Sequence, residues 1–357
     1  MSQRQSEPEV LIRVEGRAGR ITLNRPQALN ALTLDMVRRI WDALVAWRDE
    51  RAVEVVLLDG AGERALCAGG DVRSIYDSRS QGPGFARAFW SEEYRLNALI
   101  HRYAKPYVAL QDGIVMGGGI GLSSHARHRV VTERSMLAMP ETGIGLIPDV
   151  GGTWILAHAP GELGTYLGLT GARMSGSDAI QTGFAGTFLP SSVLEELKGQ
   201  LIDPSGGAID EIIDAIESEH AVPVSPLMAL KPEIDRIFSG DSVEEIMRAL
   251  NTTTADWAQK ARKDLTEKSP LALKATLAAL RNARSLPSLE AALDIEYRLC
   301  TRLFERGEFP EGVRALIVDK DKNPKWTPSR LEDVPPDMVA DLLAPLPAGE
   351  ELGLSKV

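Results

Sequence analysis

The stretch YVALQDGIVMGGGIGLSSHA, residues 107–126, joins a buried strand to a helix through three consecutive glycines. The apolar run at 107–113 is typical of a strand that is buried on both faces. Gly117, Gly118 and Gly119 then let the backbone turn sharply before the helix begins. The stretch therefore predicts a strand, a glycine turn and a helix, in that order.

Similar units lie on both sides of this stretch. VEVVLLDG at 53–60 predicts a buried strand, and RALCAGGD at 64–71 predicts a short strand that enters a second glycine turn. A long helix is predicted at about 85–103, and two short strands at 128–141. Strand, strand and helix thus recur about every 50 residues, which favours a mixed α/β fold of stacked units that bury one another.

The flanking segments complete the prediction. Strands are expected at 9–14 and 20–23, and a helix from Thr33 to about Trp47. Further helices are expected at 152–168 and after Ser175, whose capping partner is Asp178. The remaining helices are expected at several places between 190 and 270, at 269–284 and at 289–305. We expect a core over 1–190 and a mainly helical C-terminal region over 191–357 that packs on it. No low-complexity linker separates the two parts.

The composition excludes several function classes. The 357 residues are 44% hydrophobic and 25% charged, which is ordinary for a globular protein with a sizeable core. The net charge is −10 and no basic cluster is present, so we expect no nucleic-acid partner. The two cysteines, Cys67 and Cys300, cannot form a disulfide framework, and they fit a reducing compartment.

Neither a targeting segment nor a membrane span is predicted. The first residues, MSQRQSEPEV, lack the apolar region of a secretory signal, and their glutamates argue against a transit peptide. No apolar run approaches the roughly 18 residues that a membrane helix needs. We therefore expect a cytoplasmic protein without a membrane partner.

The two glycine turns, CAGGD at 67–71 and MGGGIG at 116–121, could supply backbone N–H groups to a ligand. N–H groups at the start of a helix have no intrahelical acceptor, and glycine lets two of them converge on one oxygen atom. Two such groups would form an oxyanion hole. The alternative for each turn is a tight turn with close helix packing.

Three carboxylates lie in unusually apolar surroundings. In PETGIGLIPDVGG, residues 140–152, Glu141 and Asp149 are separated by glycine and aliphatic residues. Glu141 could instead be a solvated loop residue, and Asp149 could be the N-cap of the next helix. Glu93 lies on the predicted apolar face of its helix, where a carboxylate must be paired, protonated or directed into a cavity. That face is formed by Phe85, Phe89, Leu96, Ile100 and Tyr103.

Two other kinds of site are not supported. His125 and His128 are three residues apart, but no acidic residue or cysteine has the spacing of a further metal ligand, so no metal is expected. No G-x-S-x-G motif indicates a serine nucleophile.

The motifs together resemble the enoyl-CoA hydratase/isomerase (crotonase) superfamily. They are LCAGGDV (66–72), EEYRLN (92–97), MGGGIGLS (116–123), MPETGIGLIPDVGGTW (139–154) and EGVRALIVDKDKNPKW (311–326), and the resemblance covers about residues 10–330. It implies a crotonase-like spiral of ββα repeats, with an acyl-CoA-binding core at 1–190 followed by a helical region. It also implies that the N–H groups of Gly70 and Gly118 bind the thioester oxygen of an acyl-CoA.

One position separates the branches of this superfamily. Its hydratases use two glutamates, and one of them would lie at Gly121, which has no side chain. The second matches Glu141, while Asp149 stands where hydratases usually have a small residue. The resemblance therefore favours the branch that hydrolyses 3-hydroxyisobutyryl-CoA in valine catabolism, with Glu141 and Asp149 as catalytic residues. Glu93 would be a further substrate-binding residue of the acyl pocket.

Some alternatives stay open at this stage. An enoyl-CoA hydratase or isomerase on the same fold is one, a non-catalytic acyl-CoA-binding protein is another, and a nucleotide-binding protein is a third. No cofactor is expected, since CoA enters as part of the substrate. Members of the superfamily commonly form trimers, but a helical C-terminal region could fold back on its own subunit, so a homo-oligomer is one of two open outcomes.

Overall fold

Ten strands in two sheets form the centre of the computed structural model, which describes residues 7–356. The strands are β1 (Val10–Glu15), β2 (Ala18–Leu23), β3 (Val55–Gly60), β4 (Ala65–Cys67), β5 (Tyr107–Gln111), β6 (Ile114–Met116), β7 (His128–Val131), β8 (Met136–Ala138), β9 (Met174–Ser175) and β10 (Thr187–Phe188). The segment MSQRQS, on which the prediction about targeting partly rests, lies outside the described residues.

From β3 to β8, successive strands alternate between the two sheets, which produces the predicted spiral. One sheet has the order β1-β2-β3-β5-β7-β10, and the other has the order β4-β6-β8-β9. β3, β5 and β7 pair in parallel in the first sheet, while β4, β6 and β8 pair in parallel in the second. Each strand pair is therefore one turn of the spiral, and its glycine turn or helix follows at the same end.

Sixteen α-helices are found within residues 7–356. They are α1 (Leu34–Arg48), α2 (Val72–Asp77), α3 (Gly84–His101), α4 (Gly118–Ser123), α5 (Gly152–His158), α6 (Leu163–Thr170), α7 (Gly176–Gln181), α8 (Leu194–Ile202), α9 (Ile209–Glu217), α10 (Pro226–Phe238), α11 (Val243–Asn251), α12 (Asp256–Glu267), α13 (Pro270–Ala283), α14 (Leu289–Glu305), α15 (Glu308–Val313) and α16 (Pro336–Leu343).

The predicted fold class is confirmed, and most differences are local. Thr33 caps α1 as predicted, and Ser175 forms the predicted capping box with Asp178. The single helical segment expected at 152–168 is instead two helices, α5 and α6, because Pro160 cannot continue a helix. The glycine turn at 67–71 enters a helix, α2, as expected. The sequence analysis missed the two-residue strands β9 and β10, which are too short to show a period.

The C-terminal helices pack directly on the spiral. α14 lies against α3, and α13 lies against α5 and α6. The largest apolar cluster joins residues of both parts, from Val10 in β1 to Leu303 in α14. The boundary between 190 and 191 stays a prediction. No helix among the described residues is long and apolar enough to cross a membrane.

Candidate active site

A cavity of about 240 Å³ lies where both glycine turns meet the apolar face of α3 and the segment 140–150. It contains every residue that the sequence analysis proposed for the site. Those residues are Gly70, Glu93, Gly118, Glu141 and Asp149. Its other walls are mainly apolar, with Phe89 and Trp90 from α3 and Phe309 from α15.

The two glycine turns approach each other closely at Gly118, the first residue of α4. A Cβ atom at position 118 would lie 2.6 Å from Glu93 Oε1 and 3.3 Å from the backbone nitrogen of Gly70. No side chain therefore fits at this position. Within residues 7–356, the backbone N–H groups of Gly70 and Gly118 have no hydrogen-bond acceptor. Two free donors thus lie at the wall of one cavity.

Glu141 is held in the cavity wall by a short turn. It begins a 3₁₀ segment, Glu141–Ile144, which ends at Gly145 in the left-handed conformation. A Cβ atom at 145 would lie 2.4 Å from the carbonyl oxygen of Glu308, so only glycine fits there. Glu141 is 6% exposed, and its Oε2 atom has no hydrogen-bond partner among the described residues. The alternative of a solvated loop glutamate is wrong.

Asp149 is also buried, but its carboxylate has a donor. The hydroxyl of Tyr94 donates to Asp149 Oδ2 at 2.6 Å, and the thiol of Cys300 lies 3.9 Å from the same oxygen. The N-cap of α5 is Gly151, so Asp149 is not the helix cap that the sequence allowed as an alternative. Burial raises the pKa of Asp149 to about 6, and the hydrogen bond from Tyr94 opposes the rise.

Glu93 faces the cavity without an ion pair. Of the three outcomes expected for a carboxylate on this face, a pair with a basic side chain is not found within residues 7–356, and the Oε1 atom of Glu93 has no hydrogen-bond partner there. Burial, and then the charge of Asp149, raises the pKa of Glu93 well above its ordinary value. One detail of the predicted face is wrong: Phe85 is 38% exposed, because it lies in the first turn of α3 beyond the packed region.

The cavity therefore holds three buried carboxyl groups and has one cation nearby. Burial, and then the charge of Asp149, raises the pKa of Glu141 well above its ordinary value, and the ammonium group of Lys268 opposes this rise. Lys268 is 9% exposed, and burial lowers its pKa to about 8. The charge of Asp149 and burial thus act in the same direction on Glu93 and Glu141, and both favour the protonated form of these two acids.

The position of the hydratase glutamate that this chain lacks, at Gly121, is closed. A Cβ atom at Gly121 would lie 2.7 Å from Asn97 Nδ2 and 2.8 Å from Val150 Cβ. Asn97 is fully buried, so it cannot move aside into solvent. The neighbouring side chains therefore fill the space that an acid at position 121 would need.

Sequence reasoning missed three residues of the site. Tyr94 lies within the quoted motif EEYRLN but was given no role, while Glu296 and Cys300 lie on α14. Glu296 is fully buried on the apolar face of that helix. The signal that singled out Glu93, an acid on an apolar helix face, could also have singled out Glu296.

The two histidines considered as metal ligands are used elsewhere. His125 Nε2 lies 2.7 Å from the carbonyl oxygen of Val150, and His128 Nε2 lies 2.9 Å from Asp210 Oδ1. Within residues 7–356, no group of three or more His, Cys, Asp or Glu side chains could hold a metal ion. The expectation of no metal and no cofactor stays a prediction.

Comparisons with known proteins bear on this cavity. A family model described as enoyl-CoA hydratase/isomerase matches residues 18–343. Curated relatives named "3-hydroxyisobutyryl-CoA hydrolase, mitochondrial" include one from Danio rerio, 43% identical over 91% of this chain and 87% of its own length. One from Homo sapiens is 41% identical over 91% of this chain and 86% of its own length.

Solved structures with the same fold carry different descriptions. One from Mycobacterium thermoresistibile, described as a carnitinyl-CoA dehydratase, has a TM-score of 0.92 and 44% identity, over 98% of this chain and 100% of that one. One from Rhodobacter sphaeroides, described as an enoyl-CoA hydratase, has a TM-score of 0.90 and 46% identity, over 97% and 99%. Hydrolase and hydratase are thus both represented among similar proteins.

Proposed function

Because the chain belongs to the enoyl-CoA hydratase/isomerase family, we propose that its cavity hydrolyses the thioester of 3-hydroxyisobutyryl-CoA to the free acid and CoA. One observation carries the proposal. Asp149 faces the cavity beside Glu141, while the space at Gly121 is closed to a second hydratase acid. The names of the curated relatives support the same substrate.

The N–H groups of Gly70 and Gly118 would bind the thioester oxygen. Both groups lack an acceptor within residues 7–356, so they are available to an oxygen that becomes negative as the carbonyl carbon turns tetrahedral. Removal of one such donor typically lowers kcat by ~10²–10³. The donors at both glycines are backbone N–H groups, so the glycines would contribute the position of these groups and no side-chain chemistry.

Glu141 would drive the attack on the thioester carbon. It either attacks this carbon directly, forming a mixed anhydride that water then hydrolyses, or it removes a proton from the attacking water. In both routes the C–S bond breaks, CoA leaves as the thiol, and water supplies the new oxygen. Both routes need the charged carboxylate, whose formation burial opposes and Lys268 favours.

Asp149 would accept a hydrogen bond from the 3-hydroxyl of the acyl group or would position water, with Glu93 as a second partner in the acyl pocket. Both carboxylates line a cavity that is otherwise apolar. Buried polar groups discriminate strongly, since an analogue without the hydroxyl leaves them unpaired. Isobutyryl-CoA is therefore expected to be a poor substrate.

The second candidate is an enoyl-CoA hydratase, which the descriptions of the two solved structures favour. Addition of water to an enoyl-CoA in this superfamily uses two acids, and the closed space at Gly121 argues against the second. Asp149 would have to replace it from a different wall of the cavity. We rank this function below hydrolysis for that reason.

Cofactor, pathway, location and oligomeric state complete the proposal. We propose that no cofactor is needed beyond the CoA of the substrate, and that the reaction serves valine degradation, as the acyl group suggests. A cytoplasmic location stays a prediction, since the curated relatives are named mitochondrial. A sizing measurement on the purified protein decides between a monomer and a homo-oligomer.

A paired assay on the purified protein tests the proposal. One sample contains 3-hydroxyisobutyryl-CoA and a thiol reagent, and the other contains crotonyl-CoA, followed at its enoyl absorbance. Hydrolysis predicts thiol release in the first sample and a constant absorbance in the second. Loss of the enoyl absorbance without thiol release would replace our proposal by the hydratase, and inactivity in both samples would leave only acyl-CoA binding.

A further inference from the structure

The turn that carries Asp149 has a strained backbone. Val150 has a φ of +52° and Gly151 a φ of +79°. Glycine adopts left-handed values readily, but a β-branched residue rarely does, because its side chain collides with the backbone. Such a conformation persists only when the surrounding structure enforces it. The contacts of this turn therefore identify the residues that hold it.

Glu296 of α14 makes the strongest of these contacts. Its Oε2 atom accepts the N–H of Gly151 at 2.7 Å, and its Oε1 atom accepts the N–H of Thr153 at 2.9 Å and the Thr153 hydroxyl. Glu296 is fully buried. Burial raises the pKa of Glu296 to about 8, while the three donors that point at it favour the charged form.

His125 holds the turn from the opposite side. Its Nε2 atom lies 2.7 Å from the carbonyl oxygen of Val150, and Nε2 must carry the proton because a carbonyl oxygen only accepts. A Cβ atom at Gly151 would lie 2.6 Å from this imidazole ring. The ring is thus pressed against the turn, which cannot relax in that direction.

The contact of Glu296 has a consequence for Asp149. Gly151 is the N-cap of α5 and has no side chain that could cap the helix. The N–H of Gly152 donates to the backbone carbonyl oxygen of Asp149 at 2.6 Å, and Glu296 accepts the N–H groups of Gly151 and Thr153. The carboxylate of Asp149 is therefore not needed as the helix cap and faces Tyr94 and the cavity.

We propose that Glu296 is a positioning residue of the reaction: it caps α5 from α14, holds the left-handed turn at Val150–Gly151, and so directs the carboxylate of Asp149 into the acyl cavity. The inference rests on the proposed function, because it gives Asp149 its task there. It adds that the C-terminal region helps to build the site rather than only covering the core.

The matched variants are Glu296→Met and Asp294→Leu. Asp294 lies on the same helix and also accepts two backbone N–H groups and one hydroxyl. Its donors are the N–H groups of Leu354 and Ser355 and the Ser355 hydroxyl, so it fixes the C-terminal turn instead of the turn at Val150–Gly151. Each variant keeps a similar side-chain length and removes both oxygens. Both should lower Tm to a similar degree.

Their kinetics should differ. Small misplacements of a site group can cost ~10²-fold, and we expect a loss of up to about this size in kcat/KM for 3-hydroxyisobutyryl-CoA in E296M, while the much lower kcat/KM for isobutyryl-CoA hardly changes. D294L should keep the kcat/KM of the wild type for both substrates. Glu296→Gln, which retains one oxygen acceptor, should recover part of the loss. Equal kcat/KM values for E296M and D294L, or no rescue by E296Q, would overturn the proposal.

Two further measurements cover the remaining cases. If E296M does not fold, Thr153→Val removes one of the three donors with little change in shape, and an unchanged kcat/KM would contradict the proposal. Crystal structures of the wild type and E296M, or of T153V where E296M does not fold, test the geometry without the reaction. In the variant, Val150 should leave the left-handed region or Asp149 should turn from Tyr94. An unmoved turn overturns the inference, whereas absence of thiol release by the wild type overturns only the proposed function.

Discussion

Glu141 and Asp149 lie in the same cavity, yet the segments that carry them differ in how the carboxylate is held. Each segment contains a left-handed turn that brings a buried acid to the cavity wall. Glu141 Oε2 has no partner within residues 7–356. Asp149 accepts the hydroxyl of Tyr94, and its turn is fixed by Glu296.

This difference suggests a division of tasks. A buried carboxyl without a donor is costly to keep charged, and it gains most when a reacting group or water enters the cavity. A carboxyl that already has a donor is fixed in direction and suits recognition of a substrate group. Glu141 would therefore perform the chemistry, and Asp149 would select and place the acyl group.

The largest expected effect is that of Glu141→Gln. If Glu141 is the nucleophile or the general base, the variant should lose ~10³-fold in kcat, within the range that positioned acids and bases contribute. KM should change little, because Glu141 is not assigned to the 3-hydroxyl. Thiol release at saturating 3-hydroxyisobutyryl-CoA measures the loss.

Asp178→Asn is the control for that experiment. Asp178 is a buried carboxylate in the capping box of α7, and it accepts the hydroxyl of Ser225, outside the cavity. Its variant should lose stability but keep its kcat. If Glu141→Gln lost no more activity than Asp178→Asn, the division of tasks would have to be abandoned.

The three cavity acids could be predicted from the sequence because each has an apolar environment within a few residues of itself. Glu141 and Asp149 share one short apolar segment, and Glu93 lies on an apolar helix face. Glu296 shows the same local signal, but its partner Gly151 is 145 residues away in the chain. A single sequence does not show which distant backbone donors a buried acid will meet.

The fold, like the site, has one part that could be predicted from the sequence and one part that could not. The stacked strand–strand–helix units could be predicted because buried strands and glycine turns recur at a regular spacing, so one unit predicts the next, while the resemblance to the superfamily implies the spiral arrangement. After residue 190, helices could be predicted at 269–284 and 289–305 and, without individual bounds, at several places between 190 and 270, and helices lie in all of these segments. Their packing could not, because an amphipathic helix shows which face it buries but not against what. That α14 supplies Glu296 and Cys300 to the site follows only from the structure.

A second, smaller effect is expected for Asp149→Asn. If Asp149 accepts the 3-hydroxyl, kcat/KM for 3-hydroxyisobutyryl-CoA should fall by ~10²-fold, since the buried hydroxyl loses a charged partner. The much lower kcat/KM for isobutyryl-CoA should hardly change. Measurement of both substrates gives the ratio directly, and a parallel loss for both would assign Asp149 to the chemistry instead.

The same variant has a readout that does not depend on activity. Burial raises the pKa of Asp149 to about 6 from its ordinary 3.8. The folded protein therefore holds this proton more tightly than the unfolded chain, and the free energy of unfolding of the wild type falls as the pH rises from about 4 to about 6. D149N lacks this loss, so its Tm relative to the wild type should be higher at about pH 8 than at about pH 4.

The smallest effect sharpens the comparison most, because Tyr94→Phe would make Asp149 resemble Glu141 by removing its donor. A hydrogen bond to a charged group is worth roughly 1.5–3 kcal/mol, and the lower end of this range corresponds to about a tenfold loss in kcat/KM, which we expect near pH 6. Without the hydroxyl the pKa of Asp149 should rise further, which moves the acidic limb of the pH profile upward. The loss should therefore shrink at higher pH, where Asp149 ionises again.

Tyr297→Phe provides the matched control for this shift. Tyr297 packs edge to face against Tyr94, with ring centroids 6.4 Å apart, but only Tyr94 donates to Asp149. Removal of the Tyr297 hydroxyl should leave the pH profile in place. If both variants shifted the acidic limb equally, the effect would come from the packing of the aromatic pair, and the hydrogen bond would not distinguish Asp149 from Glu141. If only Tyr94→Phe shifts it, a single hydroxyl accounts for the difference between the two acids.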